Sequence, residues 1–303
     1  MADFYFNDTA RPRRSLLSVP AINLRALAKL GTLECDGVIF DLEDSVAPEM
    51  KDEARNNLLT FFRETPLVGR EAMIRINPIS TTTGLSDLKV VLACAPDAIL
   101  LPKVEQPSHI QDVADWLAEA DAPDGLKIWA MIETPKGILN VAAIAEASHT
   151  LGARLGGFVV GLNDLRKETR VPAQTGRTYL LPWLMQIVLA ARAYGLDVID
   201  SVSNEFRDLD AFAEECGQGR AMGFDGKMLI HPSQIEAANQ AFAPDEKSLA
   251  EAHEIIATFA KPESVGLNVI NSNGRMIERL HVDQAKRLVA MAAIIEQMKG
   301  KKA

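Results

Sequence analysis

The chain has 303 residues, 48% of them hydrophobic, which suits one barrel domain or two medium-sized domains. Its formal net charge is −9, with 32 basic residues scattered among 41 acidic ones, and this argues against a nucleic-acid partner. No uncharged apolar run nears the ~18 residues of a membrane span, and residues 1–10 resemble no secretory signal, so we expect no membrane partner. Cys35, Cys94 and Cys216 offer no CxxC or disulfide pattern, which predicts a reducing, cytoplasmic environment.

Short apolar runs alternate with segments of helical period along most of the chain. This alternation is typical of βαβ units, in which parallel strands covered on both faces are continuously apolar. Eight such runs favour an α/β fold of the closed (β/α)8 TIM-barrel type over an open sheet. The runs are Ser15–Pro20, Gly37–Asp44, Ala72–Asn77, Ala98–Lys103, Lys127–Thr134, Gly157–Asp164, Leu196–Ser203 and Met222–His231.

Predicted helices lie between and after these runs. Pro182 and Gly195 bound one helix, and Gly217 is expected to end another. The tail after the eighth run reads as two helices, an irregular or weakly extended segment over Val265–Gly274, and a last amphipathic helix. We therefore divide the chain into a barrel, residues 1–240, and a C-terminal helical extension, residues 241–303, that acts as a lid, a partner-binding arm or a clasp. The main predicted helices are Asp52–Phe62, His109–Ala120, Gly137–Ala147, Pro182–Tyr194, Leu209–Cys216, Ser233–Ala241, Glu246–Ala260 and His281–Met298.

Polar residues close most of the apolar runs, where the active site of a (β/α)8 barrel lies. Glu133 ends the fifth run and Asp164 the sixth, so adjacent strands would bring two carboxylates to one rim. Two hard oxygen ligands suit Mg²⁺ or Mn²⁺ and leave positions for water and a chelating substrate. Zinc is disfavoured because the five histidines form no ligand spacing. The alternative is that Glu133 is a surface or capping carboxylate and Asp164 a helix N-cap.

An anionic substrate at such a site needs further positive charge, which Arg75 or Arg14 could supply. Arg75 follows the third run, where its planar fork could hold a carboxylate or a developing enolate. A salt bridge at the barrel rim explains Arg75 equally well.

At these residues the sequence resembles the citrate lyase β-subunit/malyl-CoA lyase branch of the HpcH/HpaI aldolase superfamily. The matching segments run nearly end to end and are far more specific than the carboxylate pair alone. They are RRSLLSVP (13–20), FDLEDSVAPEMKDEAR (40–55), IRIN (74–77), LLPKVE (100–105), MIETPKG (131–137), GLNDL (161–165), GFDGKMLIHPSQI (223–235) and GRMIERLHV (274–282).

The resemblance implies a homotrimer or homohexamer of barrels with Mg²⁺ held by Glu133 and Asp164. It implies that the 2-oxoacid chelates this metal beside the backbone around Asn163, and that Arg75 stabilises the thioester enolate. It assigns Asp44 to organising metal-bound water.

Two further roles follow from the same resemblance. Lys29 and His231 correspond to the rim that binds CoA. Glu278 stands where many relatives carry an aspartate that enters a neighbouring subunit's site as the acid/base, although a helix-start charge or a pair with Arg279 would also explain it.

The sequence therefore predicts a Mg²⁺-dependent carbon–carbon lyase that cleaves or forms a bond between an acyl-CoA and a 2-oxoacid of the glyoxylate, pyruvate or oxaloacetate class, on a malyl-CoA or citramalyl-CoA type substrate. The first alternative is a citrate lyase β-subunit acting on a carrier-bound citryl thioester. The second is a 3-hydroxyacyl-CoA thioesterase. A non-enzymatic scaffold has no chemical need for Arg75, Glu133 and Asp164 together.

Overall fold

Eight parallel strands close into a barrel in the computed structural model, which describes residues 11–150, 152–173, 176–264, 266–272 and 275–300. Each strand pairs with its neighbours in chain order, and β1 pairs with β8 to close the ring. The predicted fold class is thereby confirmed. The strands are β1 Ser15–Pro20, β2 Gly37–Asp41, β3 Glu71–Arg75, β4 Ala98–Leu101, β5 Lys127–Ile132, β6 Leu155–Val160, β7 Asp197–Asp200 and β8 Gly226–Leu229.

Side chains fill the barrel interior, so it is a packed core and not a pore. Met73, Trp129 and Ile199 belong to this inner cluster, whereas their chain neighbours Ile74 and Val198 face outward into a second apolar layer. Both faces of each strand are therefore apolar, which is why the runs lack polar alternation.

Nine helices of the described residues belong to the barrel unit, residues 13–242. Thr134 caps α5 by accepting a hydrogen bond from Gly137 N–H at 3.0 Å. The helices are α1 Leu24–Lys29, α2 Lys51–Glu64, α3 Thr82–Cys94, α4 Pro107–Glu119, α5 Pro135–Glu146, α6 Leu162–Thr169, α7 Leu181–Ala193, α8 Leu209–Met222 and α9 Ile235–Ala241.

The expected helix end at Gly217 is wrong. Helix α8 runs on to Met222 and ends at Gly223, whose φ of +96° is the left-handed conformation that favours glycine. Gly219 lies inside the helix, and it is a glycine because a Cβ at this position would stand 2.7 Å from the Asp200 carboxylate in the barrel wall. Close packing, and not helix termination, explains that glycine.

A second unit contains the chain from residue 243 onward. Within it, α10 (Glu246–Phe259) packs against α11 (Arg279–Gly300). Strands β9 (Val269–Ser272) and β10 (Arg275–Glu278) form an antiparallel pair. Strand β9 lies within the segment expected to be irregular or weakly extended, and β10 follows it. Residues 265, 273 and 274 of that expected segment lie outside the described residues.

Among the helices of the described residues, none combines the length and apolar character needed to cross a lipid bilayer. The expectation about a secretory signal concerns residues 1–10, which lie outside the described residues.

Candidate active site

The C-terminal ends of the barrel strands, here called the C-terminal rim, gather a cluster of charged side chains. Asp41 ends β2 and Arg75 ends β3, and the two residues are direct partners in the strand ladder. Lys103 follows β4 and Glu133 follows β5. Parallel strands of a closed barrel bring these sequence-distant groups to one side of the molecule.

Arg75 is buried and its guanidinium is held by two carboxylates. Its Nε and Nη2 donate to the two oxygens of Asp41 at 2.6 and 2.5 Å, and Nη1 lies 3.3 Å from Glu43 Oε2. Burial opposes charge on both partners, but the hydrogen bond and charge of Asp41 raise the pKa of Arg75, and those of Arg75 lower the pKa of Asp41. Arg75 therefore does form a salt bridge at the barrel rim, which was the alternative explanation for this residue. Only its Nη1 is directed away from Asp41.

Glu43 and Lys103 form a second ion pair beside the first, with Lys103 Nζ 2.7 Å from Glu43 Oε1. Burial raises the pKa of the Glu43 carboxyl, against the charge of Arg75 and the hydrogen bond from Lys103. Burial disfavours the charge on Lys103 as well, but the hydrogen bond and charge of Glu43 raise its pKa. Asp44 is exposed and its Oδ1 lies 3.8 Å from Lys103 Nζ, so Asp44 also belongs to this rim.

The loop after β2 is fixed from behind by Lys51. Its ammonium donates to the carbonyl oxygens of Leu42 and Glu43, both at 2.7 Å, and to Asn77 Oδ1 at 3.0 Å. Asn77 Nδ2 donates in turn to Leu42 O at 2.8 Å. These bonds hold the Glu43 backbone rigidly against the ends of β2 and β3.

Glu133 is only 1% exposed, yet it carries a carboxylate. Its Oε1 accepts a hydrogen bond from the Lys103 backbone N–H at 2.8 Å, and Lys103 adopts the left-handed φ of +49°. A Cβ at Gly161 would overlap Glu133 Oε2, so residue 161 must lack a side chain. Burial, together with the charge of Asp164, raises the pKa of Glu133 to about 7.

Asp164 lies in the first turn of α6 and is half-buried. Its charge reaches Glu133, which fits the predicted approach of the two carboxylates. The sixth run was expected to continue to Asp164, but β6 ends at Val160 and the chain turns directly into α6. Asn163 is exposed and exchanges side-chain hydrogen bonds with Asn204.

Glu133 and Asp164 suit a divalent cation by their chemistry. Within the described residues neither carboxylate has an ion-pair partner within 4 Å, and no group of three or more His, Cys, Asp or Glu side chains could hold a metal. Mg²⁺ is commonly held by one or two carboxylates and keeps several positions for water and substrate. The raised pKa of Glu133 comes chiefly from burial and further from the charge of Asp164, which together outweigh the hydrogen bond from the Lys103 N–H and the charge of Arg75.

Arg14 does not join this cluster. It precedes β1, at the N-terminal end of the barrel, where its Nε and Nη2 donate to the Asp36 carboxylate at 2.8 and 2.7 Å. Asp36 precedes β2 at that same end. The expected contribution of Arg14 to substrate binding is therefore corrected: its side chain pairs with Asp36 at the end opposite the C-terminal rim.

Among the described residues, Lys29 and His231 form no ion pair with the charged cluster. Lys29 is exposed at the last residue of α1. His231 follows β8 at the C-terminal rim, where its ring stacks on Phe206 at 4.7 Å and its Nδ1 lies 2.7 Å from Ser233 Oγ. Glu278 ends β10 in the second unit, half-buried, and its N–H donates to His281 Nδ1 at 2.9 Å.

The sequence pattern of the HpcH/HpaI aldolase/citrate lyase family matches residues 14–232, which contain every charged residue of the rim cluster. The chain belongs to this family. Its match covers nearly the whole barrel unit and stops before the second unit.

Three similar proteins, two compared by sequence and one by structure, represent this family. The chain is 41% identical to a (3S)-malyl-CoA thioesterase of Cereibacter sphaeroides, over 94% of this chain and 96% of the relative. It is 31% identical to the mitochondrial citramalyl-CoA lyase of Rattus norvegicus, over 94% and 88%. A crystal structure of the protein CitE from Mycobacterium tuberculosis with magnesium, acetoacetate and coenzyme A superposes with a TM-score of 0.74, at 28% identity, covering 94% of this chain and 99% of the other.

For this HpcH/HpaI family member, sequence reasoning gave no role to four residues of the rim. Asp41 and Glu43 stood in the quoted DLED segment, but only Asp44 was given a role. Lys103 was only the last residue of the fourth predicted run, Ala98–Lys103. Gly161 gave no polar signal, and only the packing of Glu133 explains it.

Proposed function

We propose that this chain is a divalent-metal-dependent CoA-ester lyase that cleaves or forms a C–C bond between an acyl-CoA and a small 2-oxoacid. The observation that carries the proposal is Glu133, a buried carboxylate without an ion-pair partner among the described residues, beside Asp164 and a buried arginine. A structural role alone gives no reason to bury an uncompensated carboxylate at the functional end of a barrel.

In this proposal Glu133 and Asp164 hold Mg²⁺ or Mn²⁺, and the 2-oxoacid lies near Asn163. The bound cation would polarise the oxygen that becomes the oxoacid carbonyl. Asp41 fixes the guanidinium of Arg75 by two hydrogen bonds, so its charge is oriented before the substrate arrives. Arg75 then stabilises negative charge on the departing enolate without reorganising.

Proton transfer is assigned to Glu278. In cleavage a base takes the hydroxyl proton and an acid returns a proton to the enolate carbon. The proposal includes a homotrimer or homohexamer in which Glu278 serves its own or a neighbouring site, with Lys29 and His231 binding CoA and Asp44 ordering water. The named activity of the citramalyl-CoA lyase supports the proposed type of reaction, and the magnesium, acetoacetate and coenzyme A of the CitE complex support the proposed ligands.

A second candidate is hydrolysis of a 3-hydroxyacyl-CoA. It is favoured by the relative named (3S)-malyl-CoA thioesterase, at 41% identity. In that reaction water attacks the thioester carbonyl, the C–S bond breaks, and the products are free CoA and the hydroxydiacid. A carrier-dependent citrate lyase β-subunit is the third candidate, and it would not turn over free CoA esters.

One experiment separates these candidates. The purified protein is incubated with Mg²⁺ and either malyl-CoA or citramalyl-CoA, and 2-oxoacid, shorter acyl-CoA and free CoA are quantified by mass spectrometry. We expect equimolar 2-oxoacid and shorter acyl-CoA, lost on adding EDTA. Free CoA with no 2-oxoacid would instead establish the thioesterase, and no turnover of either ester would favour the carrier-dependent subunit.

A further inference from the structure

Helix α6, which carries Asp164, begins without a side-chain cap of its own. Its N-cap residue is Gly161, which cannot offer a hydrogen-bond acceptor from a side chain. Serine, threonine, aspartate or asparagine would normally occupy this position. Any of them is excluded here, because a Cβ at residue 161 would overlap Glu133. The packing of Glu133 thus prevents a side-chain cap on α6, the helix that carries Asp164.

Ser201 supplies the missing acceptor from the neighbouring strand. The first N–H of the helix, that of Leu162, donates to Ser201 Oγ at 3.0 Å. Ser201 directly follows β7 and is fully buried. A helix N–H buried away from water is costly to leave unpaired, so this single bond matters for the position of the first turn.

Ser201 is itself held by a buried ionic cluster. Its N–H donates to Asp200 Oδ1 at 2.8 Å. Asp200 accepts from Arg177 Nη1 at 2.6 and 2.7 Å and from Lys227 Nζ at 3.0 Å. Glu215 Oε1 lies 2.7 Å from Lys227 Nζ, which balances the two cations with two carboxylates.

This cluster lies in the barrel wall, outside the rim cluster, and the proposed reaction does not use it. Asp200 and Lys227 are fully buried and Arg177 is 3% exposed. Gly219 leaves the room that the Asp200 carboxylate needs, since a Cβ there would stand 2.7 Å from its Oδ2. The hydrogen bonds run without a break from Asp200 through Ser201 to the first turn of α6.

We infer that Ser201, which Asp200 holds in place, is a positioning residue. It fixes the first turn of α6 and thereby the position of Asp164 relative to Glu133. The inference rests on the proposed function, because it concerns the affinity of the Glu133–Asp164 pair for a divalent cation. Residues that orient metal ligands typically change metal affinity by about 10- to 100-fold when replaced.

The test compares Ser201→Ala with Ser15→Ala in the full chain. Ser15 is a matched control, a fully buried serine on a barrel strand whose Oγ accepts from Asp36 N–H at 3.0 Å and donates to Asn239 Oδ1 at 2.7 Å, away from the rim. Mn²⁺ binding is measured by electron paramagnetic resonance without substrate. Amide hydrogen exchange of the metal-free protein is measured over residues 162–165.

We expect Ser201→Ala to raise the Kd for Mn²⁺ about tenfold and to speed exchange over residues 162–165, while Ser15→Ala leaves both unchanged. Ser201→Thr, which keeps a hydroxyl, should restore the wild-type Kd. Should Ser201→Ala fail to fold, Ser201→Cys keeps the volume with a weak acceptor and should show the same loss.

The outcomes are distinguishable. If the wild type binds Mn²⁺ and folded Ser201→Ala or Ser201→Cys binds it with an unchanged Kd, the positioning role alone is overturned. Absence of Mn²⁺ binding in the wild type overturns the proposed metal-dependent function, and the positioning role with it.

Discussion

The two ends of the barrel differ in how their charged side chains are paired. At the N-terminal end, both Arg13 and Arg14 are paired with acids. Arg13 Nη2 donates to Glu71 at 2.9 Å and Nη1 donates to Asp197 at 2.5 Å, and Arg14 pairs with Asp36. At the C-terminal rim, carboxylates outnumber cations. Among the described residues of the rim, the acids are Asp41, Glu43, Asp44, Glu133 and Asp164, and the bases are Arg75, Lys103 and Lys51.

By formal charge the five carboxylates exceed the three cations by two, which equals the charge of one divalent cation; in the metal-free protein the pKa of Glu133, raised to about 7, lowers this excess at neutral pH. An ion pair whose two charges match chiefly orders the chain, whereas buried acids without a matching cation can bind a positively charged ligand. The comparison teaches that the pairing of individual acids distinguishes the two ends: Asp36, Glu71 and Asp197 each have an arginine partner, whereas Glu133 has no ion-pair partner within 4 Å among the described residues.

The largest expected effect comes from removing either proposed metal ligand. Glu133→Ala and Asp164→Ala should each lower Mg²⁺-dependent turnover by at least about 10³-fold, because several kcal/mol of transition-state stabilisation is lost. Steady-state assays and circular dichroism check activity and fold. Glu71→Gln, at the N-terminal end, is the control and should lower the melting temperature without changing kcat. Undiminished activity in either alanine variant would remove the metal assignment.

Arg75→Lys tests whether the geometry of the guanidinium matters beyond its charge. Lysine cannot reproduce the two parallel bonds to Asp41, so kcat should fall about 10²- to 10³-fold and stability by about 3 kcal/mol. The equivalent change at the other end, Arg13→Lys, should affect stability alone. Equal kcat values for the two variants would contradict the difference between the ends.

The pKa of Glu133 makes a prediction about stability and pH in the presence of EDTA. The folded state raises this pKa to about 7 from an ordinary value of 4.5, so between these values the folded protein holds a proton that the unfolded chain has lost. Wild-type stability therefore falls relative to Glu133→Gln as pH rises through this window, by about 3 kcal/mol above pH 7. Denaturant unfolding at pH 5 and pH 8 measures it, and a pH-independent difference would refute it.

The smallest kinetic effect is expected for Arg14→Ala. Loss of the pair with the buried Asp36 should destabilise the protein by about 3 kcal/mol while leaving KM for the CoA ester unchanged. Thermal unfolding and initial rates check both quantities. A large rise in KM would return Arg14 to substrate binding and break the distinction between the ends.

Much of the fold could be predicted because the strands are buried on both faces and are therefore continuously apolar. The bounds of β1 were predicted without error, and the other seven strands proved shorter or displaced at one or both ends. Helix α6 was missed because the chain enters it directly from β6, through a glycine whose reason is Glu133. Polar type and strand position pointed to Arg75, Glu133 and Asp164, whereas the opposite placement of Arg14 depends on which end of a strand it occupies.

The glycine at position 161 has a consequence for how this enzyme family can lose activity. A Gly161→Ala change adds one methyl group, touches no ionisable residue and leaves all the charged side chains of the rim in the sequence. It would nevertheless displace the Glu133 carboxylate. A chain can thus keep every charged residue of the rim and still be inactive, so position 161 should be checked before activity is assigned to any relative.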